Sequence, residues 1–349
     1  MASIPVKSAH HSAHRASGQE RSLIPIGMTT ILPPAAHSIR SLQQTLLNCL
    51  FRGGYEEIFL PTFEYLDVLA PGLEADLLEK CYQFADRTTG RILVLRPDAT
   101  AQIARTVGMG MLGSRLPLRL CYCTSVFRYE PEHAGRDREI FQVGAELIGC
   151  DDVAADSEIL ALMIETLKQA GLGGFTVSVG HVGFFRELLA RSGISENGRR
   201  RAEQAAARKD LPRLEDVLRE ERIAKATADA ILEAPGLCGG TEVLERGRRL
   251  AGRNRALLSP LERLARVYDK VASSGKGHTL VLDLGEFRGF EYYDGIVFDV
   301  YAEGVGSELG GGGRYDHLIG RFGAQTPSTG FALDIDRLFR AANSKRSRV

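Results

Sequence analysis

Two neighbouring segments in the first half of the chain, residues 118–129 and 138–148, alternate apolar and polar side chains, and a polar, glycine-containing connection joins them. A period of two is typical of a strand with two unlike faces, and the short connection favours an antiparallel hairpin. Further strands are predicted on both sides of a helical stretch, without the strand-helix-strand alternation of a parallel sheet. The chain is therefore predicted to be an α+β protein built on a mixed, mostly antiparallel sheet flanked by helices.

The composition changes between residues 195 and 273, where Arg, Glu, Ala and Leu dominate and β-branched or aromatic residues are few. This composition is typical of a small helical unit. We therefore predict a helical insertion at 195–273 that divides one core into a first half at 22–194 and a second half at 274–349. Residues 1–21 are rich in Ser, Ala, His and Arg, which favours a disordered tail over a transit peptide.

Charge balance and cysteine spacing argue against several classes of function. The 349 residues contain 44 Lys and Arg against 44 Asp and Glu, so the chain lacks the basic surplus of proteins that depend on phosphate contacts. The six cysteines form no C-x-x-C pair and have no nearby histidine at metal-ligand spacing, so neither a metal site nor a cofactor is expected. No segment resembles a secretory signal or a membrane span, which predicts a soluble, cytoplasmic protein.

The strand at 138–148 contains the first candidate pocket residues. Its period of two places Gln142, Gly144 and Glu146 on one face. Gly144 leaves space where another group must come close, and the flanking amide and carboxylate suit an amine-bearing ligand. Alternatively, this face is simply exposed to water. Arg128 ends the preceding strand and is placed either to face a carboxylate or phosphate above the sheet or to make a surface ion pair.

The second half of the chain contains two further candidate segments. Tyr292 and Tyr293 follow Arg288 at the start of a predicted strand, so we expect their side chains to point to opposite faces and only one to line a given cavity, unless a bulge intervenes. Residues 310–313 are four consecutive glycines, which either let the main chain approach a ligand or form a flexible turn. Without further context the turn is favoured. The run is neither a Walker loop nor a dinucleotide fingerprint.

Taken in order, several segments resemble the core of the class II aminoacyl-tRNA synthetases, and the histidyl type in particular. The resemblance runs over residues 23–339, which makes it far more specific than any single motif. The segments that carry it are Tyr-Glu-Glu-Ile-Phe-Leu-Pro-Thr-Phe-Glu at 55–64, Leu-Arg-Pro-Asp-Ala-Thr at 95–100, Phe-Arg-Tyr-Glu at 127–130, Gly-Arg-Asp-Arg at 135–138, the stretch at 288–298, Gly-Gly-Gly-Arg-Tyr-Asp at 311–316 and Gly-Phe-Ala-Leu-Asp-Ile-Asp-Arg at 330–337.

The resemblance implies a histidine pocket whose residues can be assigned one by one. Asp98, which stands where the family usually has glutamate, would hold the α-ammonium group together with Thr100 and Gln142. Arg128 would face the carboxylate of the ligand. The imidazole end and the pocket wall would be completed by Glu146, Arg288 and Tyr292 or Tyr293.

Three departures from the synthetase pattern argue against aminoacylation. The sequence ends a few residues after the third motif, so the anticodon-binding domain of the synthetase is expected to be absent. Asp334 replaces the glycine that the synthetase places beneath ATP, where an anion should clash with a nucleotide and repel it, although Asp334 could instead cap the last helix. Pro131 and Glu132 replace the family's Arg-Pro after Glu130, which removes a cation that could face phosphate.

This combination resembles the synthetase-like regulatory subunits of ATP phosphoribosyltransferase. The resemblance implies a histidine sensor without a reaction of its own, whose partner is the short-form ATP phosphoribosyltransferase catalytic subunit in the first step of histidine biosynthesis. It also implies a homodimer within a hetero-octamer, feedback inhibition by free histidine, and neither tRNA nor a membrane as a partner. The helix and strand at 35–64 are predicted to form the homodimer contact, although an ordinary core helix is the alternative.

The rival hypothesis is an enzyme, a truncated histidyl-tRNA synthetase or paralogue that activates histidine with ATP and uses Arg128 and Arg337 on the phosphates. Two further alternatives stay open. One is a histidine-recognising domain that serves some other partner, and the other is a scaffold with an empty pocket.

Overall fold

The structure is a computed structural model that describes residues 23–111, 113, 115–129, 137–286 and 292–344. The predicted tail at 1–21, the candidate Arg288 and the departure at Pro131 and Glu132 lie outside these residues. Within the described ranges, no helix combines the length and the apolar character needed to cross a membrane.

The described residues form twelve strands, nine in one sheet and three in a smaller one. They are β1 (Glu56–Glu57), β2 (Phe63–Tyr65), β3 (Gln83–Ala85), β4 (Ile92–Leu95), β5 (Leu118–Phe127), β6 (Glu139–Ile148), β7 (Phe175–His181), β8 (Cys238–Gly239), β9 (Leu280–Asp283), β10 (Ile296–Ala302), β11 (Gly310–Arg314) and β12 (Ser328–Asp334). The large sheet has the order β1-β5-β6-β12-β11-β10-β7-β9-β8, and the small sheet the order β2-β4-β3.

Twelve α-helices surround these sheets in the described part of the chain. They are α1 (Ala35–Arg52), α2 (Leu66–Leu69), α3 (Ala75–Glu79), α4 (Ala99–Gly108), α5 (Val153–Gln169), α6 (Val182–Arg191), α7 (Glu196–Ala207), α8 (Leu211–Glu220), α9 (Lys225–Glu233), α10 (Glu242–Ala251), α11 (Arg255–Val271) and α12 (Ile335–Ser344).

The large sheet is mixed and mostly antiparallel, as predicted. The pairs β1–β5 and β7–β9 are parallel, whereas the other six neighbouring pairs in this sheet are antiparallel. The hairpin β5–β6 is confirmed, with Tyr122 opposite Gly144 and Leu120 opposite Glu146. Strand β1 is short, and only its two residues Glu56 and Glu57 pair with β5 before the chain reaches Pro61.

The glycine run at 310–313 is a central strand rather than the flexible turn that was favoured. Strand β11 lies between β10 and β12, and all five of its residues are buried. A Cβ atom on Gly312 would clash with the Gly330 carbonyl oxygen and lie 2.7 Å from the Phe331 Cα atom. Glycine is therefore needed here because neighbouring main chains approach closely.

The two faces of the sheet have different coverings. Val143, Ala145 and Leu147 of β6 belong to the main apolar core, together with Leu46 of α1 and Ile159 of α5. The opposite face carries a smaller cluster in which α4 packs against several tyrosines, which are Tyr122, Tyr292, Tyr293 and Tyr315. The candidate residues of β6 project from this second face, as their period of two predicts.

Helices α7 to α11 occupy the segment predicted as a helical insertion, and the same segment adds β8 to the edge of the large sheet beside β9. Lys209, in the turn between α7 and α8, links this helical segment to the sheet. Its Nζ atom lies 2.8 Å from Asp283 Oδ2 at the end of β9 and donates to the Pro235 carbonyl oxygen at 2.9 Å. The boundaries at 195 and 273 stay a prediction.

Substitution of Gly144 by alanine should destabilise the fold. The new Cβ atom would clash with the Tyr122 phenol and lie 2.5 Å from the Phe331 carbonyl oxygen. Overpacking of this kind costs about 1–3 kcal/mol, so thermal unfolding should show a clearly lower Tm. Gly306→Ala is the matched control, because nothing lies within 4 Å of its Cβ position. Equal Tm values for the two variants would contradict the packing described here.

Candidate functional site

A cavity of about 100 Å³ lies on the tyrosine-bearing face of the sheet, above β5, β6, β12 and β11. This volume is several times the ~10–15 Å³ that one ordered water needs, so the cavity has room for a small molecule. Every candidate within the described residues lines it, and these are Asp98, Thr100, Arg128, Gln142, Glu146, Tyr292 and Tyr293. Arg288, the remaining candidate, lies outside the described residues.

Both Tyr292 and Tyr293 line the cavity, which two consecutive residues of a regular strand could not do. They lie in a turn before β10, which begins at Ile296, and strand alternation therefore does not apply to them. Their ring centroids are 4.7 Å apart, and the Tyr315 ring lies 5.9 Å from Tyr292. Three tyrosine rings thus form a continuous aromatic wall.

Tyr122 explains the glycine at position 144. Its ring lies directly over Gly144, so the group that comes close there is a side chain of the protein itself. The Tyr122 side chain is 1% exposed, and its hydroxyl group has no hydrogen-bond partner in the described structure. Sequence reasoning missed Tyr122 and also Tyr315. The signal for Tyr122 was the hairpin register, which places it opposite Gly144.

Glu146 is the buried acid at the centre of the cavity, with 1% of its surface exposed. Its carboxyl group accepts hydrogen bonds from the Thr100 hydroxyl at 2.7 Å and from the Tyr315 hydroxyl. Burial raises the pKa of Glu146 to about 8; the two hydroxyl donors oppose the rise, and the negative charge of Asp98 adds to it. Below that pH the group is therefore an uncharged carboxylic acid, which can both donate and accept a hydrogen bond.

Asp98 supplies a carboxylate at one end of the cavity. Its Oδ1 atom accepts from the Ala101 amide at 3.0 Å and so caps α4. Its Oδ2 atom lies 3.5 Å from the Tyr292 hydroxyl and 3.9 Å from Arg128 Nη2. The Thr100 hydroxyl donates to Glu146, which leaves its oxygen able to accept. Asp98 and Thr100 therefore offer acceptors to a cationic group.

Arg128 stands at the cavity edge near Asp98. Its Nε atom donates to the Pro97 carbonyl oxygen at 2.8 Å, which fixes the plane of the guanidinium. The Arg128 side chain is 17% exposed, against 6% for Asp98. A cation held in this way can face an anionic group of a ligand whose cationic group lies on Asp98.

At the opposite end, the charged groups pair with one another. Asp334 accepts from Gln142 Nε2 at 2.9 Å and lies 3.2 Å from Arg337 Nε. Arg337 also donates to the Glu308 carboxylate at 2.9 Å and to its carbonyl oxygen at 2.6 Å. Burial raises the pKa of Asp334, and the positive charge of Arg337 opposes that rise. The guanidinium required by the rival hypothesis is thus already bound by two acids of the protein.

Within the described residues, no group of three or more His, Cys, Asp or Glu side chains is placed to hold a metal ion. The cavity is lined by carboxyl, amide, hydroxyl and guanidinium groups around an aromatic wall.

Comparison with known proteins gives the family. The family model for histidyl-tRNA synthetase matches residues 27–338. The ATP phosphoribosyltransferase regulatory subunit of Moorella thermoacetica is 42% identical over 318 residues, which cover 91% of this chain and 81% of the relative. That of Geobacter metallireducens is 38% identical over 92% of this chain and 74% of the relative. This chain belongs to the family of ATP phosphoribosyltransferase regulatory subunits.

Solved structures agree with that family and with the predicted class II fold. An ATP phosphoribosyltransferase regulatory subunit/histidyl-tRNA synthetase from Bacillus halodurans has a TM-score of 0.84 and 31% identity, over 92% of this chain and 83% of the other. Histidyl-tRNA synthetase from Nostoc has a TM-score of 0.77 over 92% of this chain and 75% of the other, and its 20% identity shows a shared fold alone. The regulatory-subunit family therefore shares its core with the synthetases.

Glu146→Gln should reduce the pH dependence of stability. Between pH about 4.5 and about 8, Glu146 is ionised in the unfolded chain but keeps its proton in the folded one. Unfolding releases that proton, so the free energy of unfolding falls as pH rises through this window. The parent should lose more Tm between pH 5.5 and 8.5 than the variant does. The exposed Glu245→Gln should behave like the parent, and an unchanged pH slope in Glu146→Gln would contradict the shifted pKa.

Proposed function

We propose that this chain is a non-catalytic regulatory subunit that binds free histidine in the cavity and confers feedback inhibition on a short-form ATP phosphoribosyltransferase catalytic subunit. The observation that carries the proposal is the arrangement of charges in the cavity. A carboxylate (Asp98) and a guanidinium (Arg128) stand side by side, with a buried carboxyl (Glu146) and aromatic rings farther in. A free amino acid has both charges on one carbon, so it suits such a pair.

The ammonium and carboxylate of histidine would take the first two groups. Asp98 and Thr100 would accept from the α-ammonium, and Arg128 would donate to the α-carboxylate. The imidazole ring would then lie against the aromatic wall and exchange a hydrogen bond with Glu146. An uncharged Glu146 suits a neutral imidazole, which has one donor and one acceptor nitrogen.

The charged groups at the other end of the cavity support the proposal that this chain catalyses no reaction of its own. The rival enzyme would need Arg337 to contact phosphate, but Arg337 pairs with Asp334 and Glu308. A nucleotide there would have to displace two carboxylates and then tolerate the negative charge of both. The geometry therefore supports amino-acid binding without activation of the amino acid.

We further propose that the chain forms a homodimer through residues 35–64 and that homodimers combine with the catalytic subunit in a hetero-octamer. Several aromatic side chains near this segment are exposed, with 40% for Phe51, 86% for Phe59 and 51% for Phe63. Exposed apolar patches on a folded chain are typical of interaction surfaces. Helix α1 also packs in the core, because its residues Leu46 and Leu50 are buried. A core helix, which was the alternative to a dimer contact, is therefore compatible with it.

Feedback inhibition requires that histidine bind more tightly to the inhibited assembly than to the active one. By linkage, bound histidine then shifts the equilibrium toward the inhibited assembly by the same factor. A coupling of about 1–3 kcal/mol, or roughly 5- to 150-fold in affinity, is sufficient.

Co-expression of this chain with a short ATP phosphoribosyltransferase catalytic subunit should give an activity that the catalytic subunit alone lacks and that histidine inhibits. Asp98→Ala should keep the stimulation but raise the inhibitory histidine concentration at least 10-fold, because the ammonium loses its counter-charge. The exposed Asp229→Ala is the control and should inhibit like the parent. Unchanged inhibition in Asp98→Ala would reject this cavity as the histidine site. Failure to stimulate the catalytic subunit would favour a domain that serves another partner.

Histidine-dependent exchange between pyrophosphate and ATP tests the rival enzyme. The purified chain should show no exchange above a protein-free blank, because Arg337 and the nucleotide end of the cavity are occupied by the protein's own acids. A histidyl-tRNA synthetase assayed in parallel provides the positive control. Exchange that depends on histidine and disappears in Arg128→Ala would establish an activating enzyme instead.

A further inference from the structure

The side chain of Gln142 is held in one orientation by Asp334. Gln142 is 8% exposed, and its Nε2 atom donates to Asp334 Oδ1 at 2.9 Å. A carboxylate accepts hydrogen bonds and cannot donate them, so the nitrogen of the amide must be the atom that faces it. The oxygen of the same amide is consequently turned away from Asp334.

The Arg337 guanidinium beside the second oxygen of Asp334 opposes the rise in pKa that burial causes and so favours the carboxylate form of Asp334. Arg337 Nε lies 3.2 Å from Oδ2, and the guanidinium is anchored from its other side by Glu308. Gln142 and Asp334 occupy paired positions on the neighbouring strands β6 and β12. The contact is therefore set by the register of the central sheet and not by a flexible loop.

The Gln142 oxygen has no hydrogen-bond partner within the described residues, although the side chain lines the cavity. A bound ammonium group would provide a donor. If the amide rotated by half a turn, its NH₂ group would face the ammonium and repel it.

We propose that Asp334 is a positioning residue for amino-group recognition, because it locks the Gln142 amide with its oxygen toward the ligand. This inference rests on the proposed function and adds to it the residue that orients the ammonium site. The same carboxylate that closes the cavity to phosphate therefore also prepares it for an amino acid. Sequence reasoning assigned Asp334 only the first role, beside a possible helix cap.

Calorimetric titrations of the full chain with two ligands test this role. L-Histidine has the ammonium group, whereas 3-(imidazol-4-yl)propionate lacks it and keeps the carboxylate and the ring. Asp334→Leu removes the acceptor at similar size, so the variant should bind histidine at least 10-fold more weakly than the parent. Its affinity for the propionate should change less than 3-fold, which also shows that the variant is folded.

A second substitution separates orientation from general damage. Glutamate at position 142 has two equivalent oxygens, so it offers an acceptor in either orientation. The double variant Asp334→Leu with Gln142→Glu should therefore recover most of the lost histidine affinity. Equal weakening of both ligands in Asp334→Leu, unchanged histidine affinity, or no recovery in the double variant would overturn the positioning role while leaving the proposed function in place. Absence of histidine binding in the parent chain would overturn both.

Discussion

Glycines on three adjacent central strands let the pocket side chains lie flat on the sheet, and the site depends on this constraint. Added Cβ atoms would clash with Tyr122 at Gly144 and with the Glu146 carboxyl at Gly330, and one at Gly313 would lie 2.8 Å from Tyr293. The three positions are on β6, β12 and β11 and face the same side. Space that side chains of the sheet would otherwise fill is thus given to a buried acid and to aromatic rings.

The burial of acidic side chains in this space determines the chemistry of the cavity. Glu146 lies so far from water that it holds its proton to a pH of about 8. Asp334 is buried beside Arg337, whose guanidinium also pairs with Glu308. Asp98 and Arg128, which lie 3.9 Å apart, also line the cavity. Under the proposed function, a fold shared with the synthetases recognises an amino acid without activating it.

Local pattern predicted much of this arrangement. Alternation in β6 placed Gln142 and Glu146 on one face. The family resemblance then joined residues from distant segments. The strand at 310–314 could not be predicted from its own residues, because glycine has no strand preference and only the neighbouring main chains of β10 and β12 hold it extended. Tyr292 and Tyr293 can line the cavity together because they precede β10, which begins later than its sequence suggests.

The central claim is that the cavity binds histidine without a nucleotide and that a nucleotide does not change this binding. Calorimetric titration of the purified chain with L-histidine, repeated in saturating ATP and Mg²⁺, tests it most directly. The account predicts saturable binding at one site per chain, with the same affinity in both titrations. A chain that gives no heat with histidine, or whose histidine affinity changes when ATP is present, would contradict it.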